Sequence, residues 1–133
     1  GNEYGSTTGR PRRCGWFDAV AVRYALEISG ADELIVTNLD VLSGFDEICA
    51  AEAYELNGRR MLDWPAELAS IEGVRPVFAR HKGWSEDITA VRRFEDLPQA
   101  ARDYIAWLER TCRAKVAMIS VGPERDQIID CRR

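Results

Sequence analysis

Two short apolar runs, each cut off by polar or small residues, constrain this chain most. Leu34-Ile35-Val36 passes directly into Thr37-Asn38-Leu39-Asp40, and residues 116–121 stop at Gly122-Pro123. Runs so short and apolar read as buried strands, of the kind found in sheets covered by helices. In such sheets ligands gather outside the carboxyl ends of the strands.

Helical patterns are interspersed with these strands. In residues 15–29, Phe17, Val20, Tyr24 and Ile28 recur at helical spacing beside Trp16, with Asp18 in the first turn and Gly30 as a stop. Residues 97–112 carry the clearest stripe: Leu97, Ala101, Tyr104, Ile105, Leu108 and Cys112. Asp96 and Gln99 have capping-box spacing, and Pro98 suits a first turn. Residues 47–56 and 59–62 predict a hairpin across a type I′ turn at Asn57-Gly58. Residues 63–73 read as a loop with a short helical turn, 74–78 as a weaker strand, 79–95 as polar and irregular, and 127–131 as a final strand. The class is therefore α/β or α+β, with few strands for a complete doubly wound domain.

With 133 residues, 46% apolar and 30% charged, the composition is that of one globular domain and not of a disordered chain. No apolar run is long enough to span a bilayer, and no signal segment is expected from residues 1–8. The net charge of −4 argues against non-specific nucleic-acid binding. That charge splits into +2 over residues 1–13, where Arg10, Arg12 and Arg13 face Glu3, and −6 over the rest. Cys14, Cys49, Cys112, Cys131 and the lone His81 are too scattered for a metal site, and free, mostly buried thiols are expected. Trp16, Phe17, Tyr104 and Trp107 are expected in a core or interface, His81 exposed, and Glu109 and Arg110 on the solvated face of their helix.

Three segments carry chemistry. Gly5-Ser6-Thr7-Thr8-Gly9-Arg10-Pro11-Arg12-Arg13 combines hydroxyls, glycine N–H groups and guanidiniums, which suits a carboxylate or phosphate. With Pro11 holding the chain extended, Arg10 and Arg12 project to one side and Arg13 to the other. The alternative is a solvated basic tail. Asp40, at a strand end, suits guanine, whose N1–H and exocyclic amine both donate, and Thr37-Asn38-Leu39-Asp40 partly shuffles the Asn-Lys-x-Asp signature of GTPases. The alternative is a turn capped by Asp40. Ser120-Val121-Gly122-Pro123 lets backbone approach a planar base, and taken alone is a turn.

Taken together, these segments resemble the C-terminal part of the adenylosuccinate synthetase family. The likeness runs through residues 5–18 and 37–47, then Ala53-Tyr54-Glu55-Leu56, Gly83-Trp84, Asp96-Leu97-Pro98 and Ile119-Ser120-Val121-Gly122-Pro123-Glu124-Arg125. It implies an α/β fold, namely the end of a P-loop NTPase-like mixed sheet with flanking helices and a small β-hairpin subdomain. Residues 1–133 would form one unit, with 1–13 as an aspartate-binding loop and 14–133 as a body bearing guanine-binding strand ends. It further implies a cytoplasmic, homodimeric, magnesium-using ligase of AMP biosynthesis that turns IMP, L-aspartate and GTP into adenylosuccinate, GDP and phosphate, with no nucleic-acid or membrane partner.

Residue by residue, Ser6, Thr7, Thr8, Gly9, Arg10, Pro11 and Arg12 match the mobile loop that holds aspartate. Thr7 and Thr8 would take the α-carboxylate, Arg10 would reach toward IMP, and Arg12 toward GTP. Asn38, Leu39 and Asp40 match the guanine-reading strand end, and Ser120, Val121 and Gly122 the second guanine contact. The family pattern has Lys where this chain has Asn38, so the stem that covers the guanine face is absent, and Pro11 stands where Arg is common. The catalytic Asp and His, the phosphate loop and the magnesium ligands belong to the family's N-terminal part. The chain alone is therefore expected to be inactive, with a stand-alone guanine-nucleotide module or a purely structural fragment as the alternatives.

Overall fold

The computed structural model describes residues 4–5, 7–64 and 72–132. Two small mixed sheets and the second of two helices share one core. The first sheet is organised by its longest strand, β3 (Glu47–Leu56). The long strand β5 (Arg75–Lys82) pairs antiparallel along β3. On the opposite edge β3 takes first β1 (Phe17–Asp18), in parallel, and then β4 (Arg59–Met61), antiparallel. The β3–β4 turn has positive φ at both Asn57 (52°) and Gly58 (77°), as a type I′ hairpin requires. The second sheet has the order β2 (Glu33–Val36), β6 (Lys115–Ser120), β7 (Ile128–Asp130), with β2 parallel to β6 and β7 antiparallel.

Helix α1 (Ala19–Ser29) starts four residues later than its periodicity suggests. Phe17 and Asp18 are drawn into the sheet by β3, and Asp18 becomes the N-cap, its Oδ1 accepting from the N–H groups of Val20 and Ala21 at 3.1 and 3.0 Å. Gly30, at φ 67°, ends the helix as expected. The buried face is Ala19, Val20 and Arg23, whereas Tyr24 and Ile28 are 38% and 69% exposed, so half of the expected stripe faces outward. Arg23 is buried because its guanidinium donates to the carbonyls of Thr111, Glu52 and Leu62, tying α1 to the end of α2, to β3 and to the segment after the hairpin.

Helix α2 (Gln99–Cys112) matches its sequence closely: Ala101, Tyr104, Ile105, Leu108 and Cys112 are all buried, as is Leu97 just before it. The capping box does not form. Asp96 is held in a 3₁₀ turn (Phe94–Asp96), Pro98 occupies the N-cap, and Gln99 instead donates to Asp103 at 2.7 Å. Strand β5 runs on to Lys82, beyond the expected 74–78, because β3 offers a partner for its whole length. Its half-buried Val77, Ala79 and His81 alternate with exposed Phe78, Arg80 and Lys82. The expected helical turn within 63–73 falls largely on 65–71, outside the described residues.

One cluster joins both sheets to α2: Leu39, Ile48, Ala50, Trp84 and Ile88 meet Leu97, Ala101, Tyr104, Ile105 and Leu108, and Val116, Ile119, Val121 and Ile129. Both strand ends of interest therefore emerge from the same packed body.

Candidate functional site

Because β2 and β6 run parallel, their carboxyl ends leave the sheet on the same side. The two ends are joined directly: the Asn38 N–H donates to Ser120 Oγ at 2.8 Å, across 82 residues of sequence. Asn38 adopts a left-handed conformation (φ 58°, ψ 40°), which Asn tolerates better than most residues. The chain thereby turns off the strand into a 3₁₀ turn (Leu39–Leu42). Leu39, 1% exposed, pins that turn to the core.

Asp40 follows the pinned residue and is half-buried. Its Oδ1 is shielded from solvent and has no hydrogen-bond partner. A buried carboxylate oxygen without a donor is costly, and it is the kind of acceptor that a ligand's N–H groups satisfy. The turn beyond Asp40 is braced from the far side. Trp84 Nε1 donates to Ser43 Oγ at 3.0 Å, the Gly44 N–H donates to the Trp84 carbonyl at 2.8 Å, and the Gly83 N–H donates to the Asp46 carbonyl at 2.9 Å. A Cβ on Gly83 would lie 1.8 Å from the Phe45 carbonyl oxygen, so this approach of two backbones requires glycine. Gly83-Trp84 is thus a support of the site, with a role that the sequence reading had not assigned.

On the β6 side, Ser120 is half-buried, Val121 and Gly122 are buried, and Pro123 is exposed. The Val121 N–H donates to the Gln127 carbonyl at 2.9 Å, which folds the turn back onto the sheet.

The first segment behaves differently. Thr7, Thr8, Gly9, Arg10, Pro11 and Arg12 are all exposed, and Ser6 lies outside the described residues. The segment is not a simple extended run. Tyr4 and Pro11 form an antiparallel bridge, the Gly5 N–H donates to the Arg10 carbonyl, and the Gly9 N–H donates to the Gly5 carbonyl, both at 2.8 Å. Gly9, at φ 63°, makes the reversal. The reversal lies before Arg10-Pro11-Arg12, and Pro11 itself pairs in the bridge. Among the described residues no hydrogen bond links residues 4–11 to Asn38, Asp40 or Ser120. The structure thus joins the two strand ends to each other directly.

Other expectations are revised by burial. His81 is half-buried, its ring 5.3 Å from Tyr104 and 4.6 Å from Trp107, and desolvation lowers its pKa below the ordinary histidine value. Glu109 is half-buried, its Oε1 accepting from the Val116 N–H at 2.9 Å. Trp16 is 39% exposed and meets Phe45 edge-on. The cysteines are free, but of the four only Cys112 is buried, with its pKa raised to about 11 by desolvation. Burial likewise pushes Tyr104 up to about 12. Tyr54 is raised well above the phenol range by burial and by its bond to Asp18 Oδ2 at 2.5 Å.

Among the described residues no three His, Cys, Asp or Glu side chains gather as a metal site. A groove of about 600 Å³ runs between α2 and the second sheet, lined by three carboxylates and three cations that favour neither sign of ligand. No residue of either strand end lines it. No helix among the described residues is long and apolar enough to cross a membrane.

Comparison with known proteins supplies the context of this geometry. A family model described as adenylosuccinate synthetase matches residues 1–129. The adenylosuccinate synthetase of Bifidobacterium animalis subsp. lactis is 48% identical over 130 residues, covering 98% of this chain and 30% of the relative. That of Desulforamulus reducens is 50% identical over 129 residues, covering 97% and 30%. The fully ligated adenylosuccinate synthetase structure from Plasmodium falciparum superposes with a TM-score of 0.92 at 36% identity, covering 98% of this chain and 32% of that one. The chain thus spans about 30% of the length of the curated relatives it matches.

Proposed function

The chain belongs to the adenylosuccinate synthetase family, and from that premise we propose that it supplies the guanine-reading and aspartate-holding part of a GTP-dependent C–N ligase. The observation that carries this reading is the bond between Asn38 and Ser120 beside the buried, unpaired Asp40 Oδ1. Asp40 accepts from the N1–H and the 2-amino group of guanine. Adenine carries neither donor, so the same carboxylate discriminates against it. Leu39 and Val121 hold the two walls to the core, and Asn38, Ser120 and Gly122 present backbone to the base. The short Asn38 side chain leaves one base face uncovered, so selectivity rests on Asp40 more than on stacking.

In the proposed reaction GTP gives its γ-phosphoryl group to the 6-oxygen of IMP, which turns a poor leaving oxygen into phosphate. The amine of L-aspartate then attacks C6 and phosphate departs, giving adenylosuccinate, GDP and phosphate. Thr7, Thr8 and the backbone of Gly9 hold the aspartate carboxylate, Arg10 and Arg12 neutralise the converging anions, and Pro11 limits the loop's freedom. Ser6 is assigned to the same loop from its place in the sequence. Magnesium is the family's expected ion, but the described residues offer no cluster that fits it, so no step is derived through it. A general base and a phosphate loop are likewise not among the groups placed here, so this chain alone is expected to be inactive. Cytoplasmic location and a homodimeric parent are part of the same proposal.

Calorimetric titration with GDP and ADP, repeated on Asp40→Asn, tests the reading. Preference for GDP that disappears in the variant supports it. Equal affinity for both nucleotides overturns it. No affinity for either locates nucleotide binding in regions of the family that this chain does not span.

A further inference from the structure

Gln127 lies outside the three segments read as carrying chemistry, yet both ends of its side-chain amide are used. Its Oε1 accepts from the Glu124 N–H at 2.9 Å, and its Nε2 donates to the Thr89 carbonyl at 3.2 Å. Its backbone closes the same turn, the N–H donating to the Glu124 carbonyl at 3.0 Å and the carbonyl accepting from Val121 at 2.9 Å. The Thr89 carbonyl also takes Arg92 Nη1 at 2.7 Å, while Arg92 Nη2 reaches Asp126 Oδ2 at 3.0 Å. The turn after β6 is therefore bolted to the 89–92 segment at two points.

Gly122 completes the clamp. It is buried and its φ is not positive, so backbone conformation alone does not demand glycine there. The requirement is spatial: a Cβ at this position would sit 2.2 Å from Gln127 Oε1 and 2.4 Å from its Cδ. The amide of Gln127 fills the volume that any side chain at 122 would take.

We infer that Gln127 is a positioning residue that holds the Ser120–Gly122 strand end in its base-accepting shape before nucleotide arrives, by packing its amide against Gly122 and bonding the turn to Thr89. The inference rests on the guanine-site reading above. It extends that reading to a residue placed to act through Gly122 and the turn. A turn fixed in advance pays no ordering cost when the base binds, so loss of the clamp shows as lost affinity.

The test combines amide hydrogen exchange with GDP titration on this chain, for wild type, Gln127→Ala, Gln127→Glu, Gly122→Ala and the Gly122→Ala/Gln127→Ala pair. Gln127→Ala is expected to speed exchange at Glu124 and to weaken GDP about tenfold, with the melting midpoint little changed. Gln127→Glu keeps the acceptor for Glu124 and is expected to lie between wild type and Gln127→Ala. Gly122→Ala expels the amide and is expected to mimic Gln127→Ala. The pair, with room for the new methyl, is expected to be no worse than either single change.

Unchanged exchange at Glu124 in Gln127→Ala overturns the clamp. Equal GDP affinity in wild type and Gln127→Ala overturns the positioning role, as do losses that multiply in the pair. If Gly122→Ala fails to fold, the two Gln127 variants decide. A wild type that binds no GDP fails the guanine-site reading itself and takes the positioning role with it, whereas the exchange data still report on the clamp.

Discussion

The two regions to which ligand roles are proposed are built in opposite ways. At the paired strand ends, Leu39 and Val121 are anchored in the common core, and bonds from Ser120, Trp84 and Gln127 fix the turns between them. In the loop, residues 7–16 are all exposed, and the backbone bonds of its first part close on the loop itself. Trp16 meets Phe45, but no residue of this segment is buried, and an exposed segment opens locally at less cost than a core-anchored turn, which opens only with much of the body. The contrast suits the proposed division of labour: a base is selected by a preset shape, and the carboxylates of a small amino acid are captured by cationic groups that close around them.

The contrast is broken or sharpened most strongly by core substitutions beneath the strand ends. Leu39→Ala is expected to cost about 3 kcal/mol in urea unfolding, since it empties a fully buried site. Gly83→Ala is expected to cost about 2–3 kcal/mol by forcing two backbones apart. If either changed stability by less than about 0.5 kcal/mol, the strand ends would be no better anchored than the loop. Trp84→Phe keeps the packing but removes the bond to Ser43, for a smaller loss of about 1 kcal/mol, read in the same assay. Arg10→Ala, on the exposed loop, is expected to stay within about 0.5 kcal/mol of wild type and to leave GDP affinity unchanged. Destabilisation comparable to Leu39→Ala would refute the independence of the two regions.

The smallest effect concerns pH. Burial lowers the pKa of His81, with Glu52 opposing and Arg110 adding to the shift. The unfolded chain then takes up this proton first as pH falls. The body is therefore most stable above the unfolded histidine value near 6.5 and loses stability as pH drops through it toward the lower folded value. Thermal midpoints followed from pH 7.5 to 5 are expected to fall less steeply in His81→Gln than in wild type. Identical slopes would mean that His81 is not desolvated in the folded chain.

Some of this architecture was legible in advance. The α2 stripe, the Asn57-Gly58 hairpin, the stop at Gly30 and the strands over 34–36 and 116–121 follow from periodicities and turn chemistry that act over a few residues, but the first of these strands is not buried as expected: it lies at a sheet edge with Ile35 62% exposed. Misplaced features have a common cause. Phe17 and Asp18 leave the helix because β3 recruits them, β5 outruns its local pattern because β3 is long, and Asp96 forgoes the capping box for a 3₁₀ turn. His81 and Glu109 were expected to be solvated, and both are half-buried, because α2 covers the one and the Val116 N–H engages the other. In each case a distant partner outweighed a local preference.

The candidate site divides in the same way. Sequence by itself singled out the candidate residues: an Asp at a strand end, a serine and glycine at another, and a loop of hydroxyls and guanidiniums. Tertiary structure decided that Asn38 and Ser120 meet, that Asp40 Oδ1 is buried without a donor, and that Trp84 and Gln127 brace the two turns. The physical reason is range. Side-chain chemistry and hydrophobic period are properties of neighbouring residues, while convergence depends on which strands pair and on what packs behind them, a choice made by the whole chain at once.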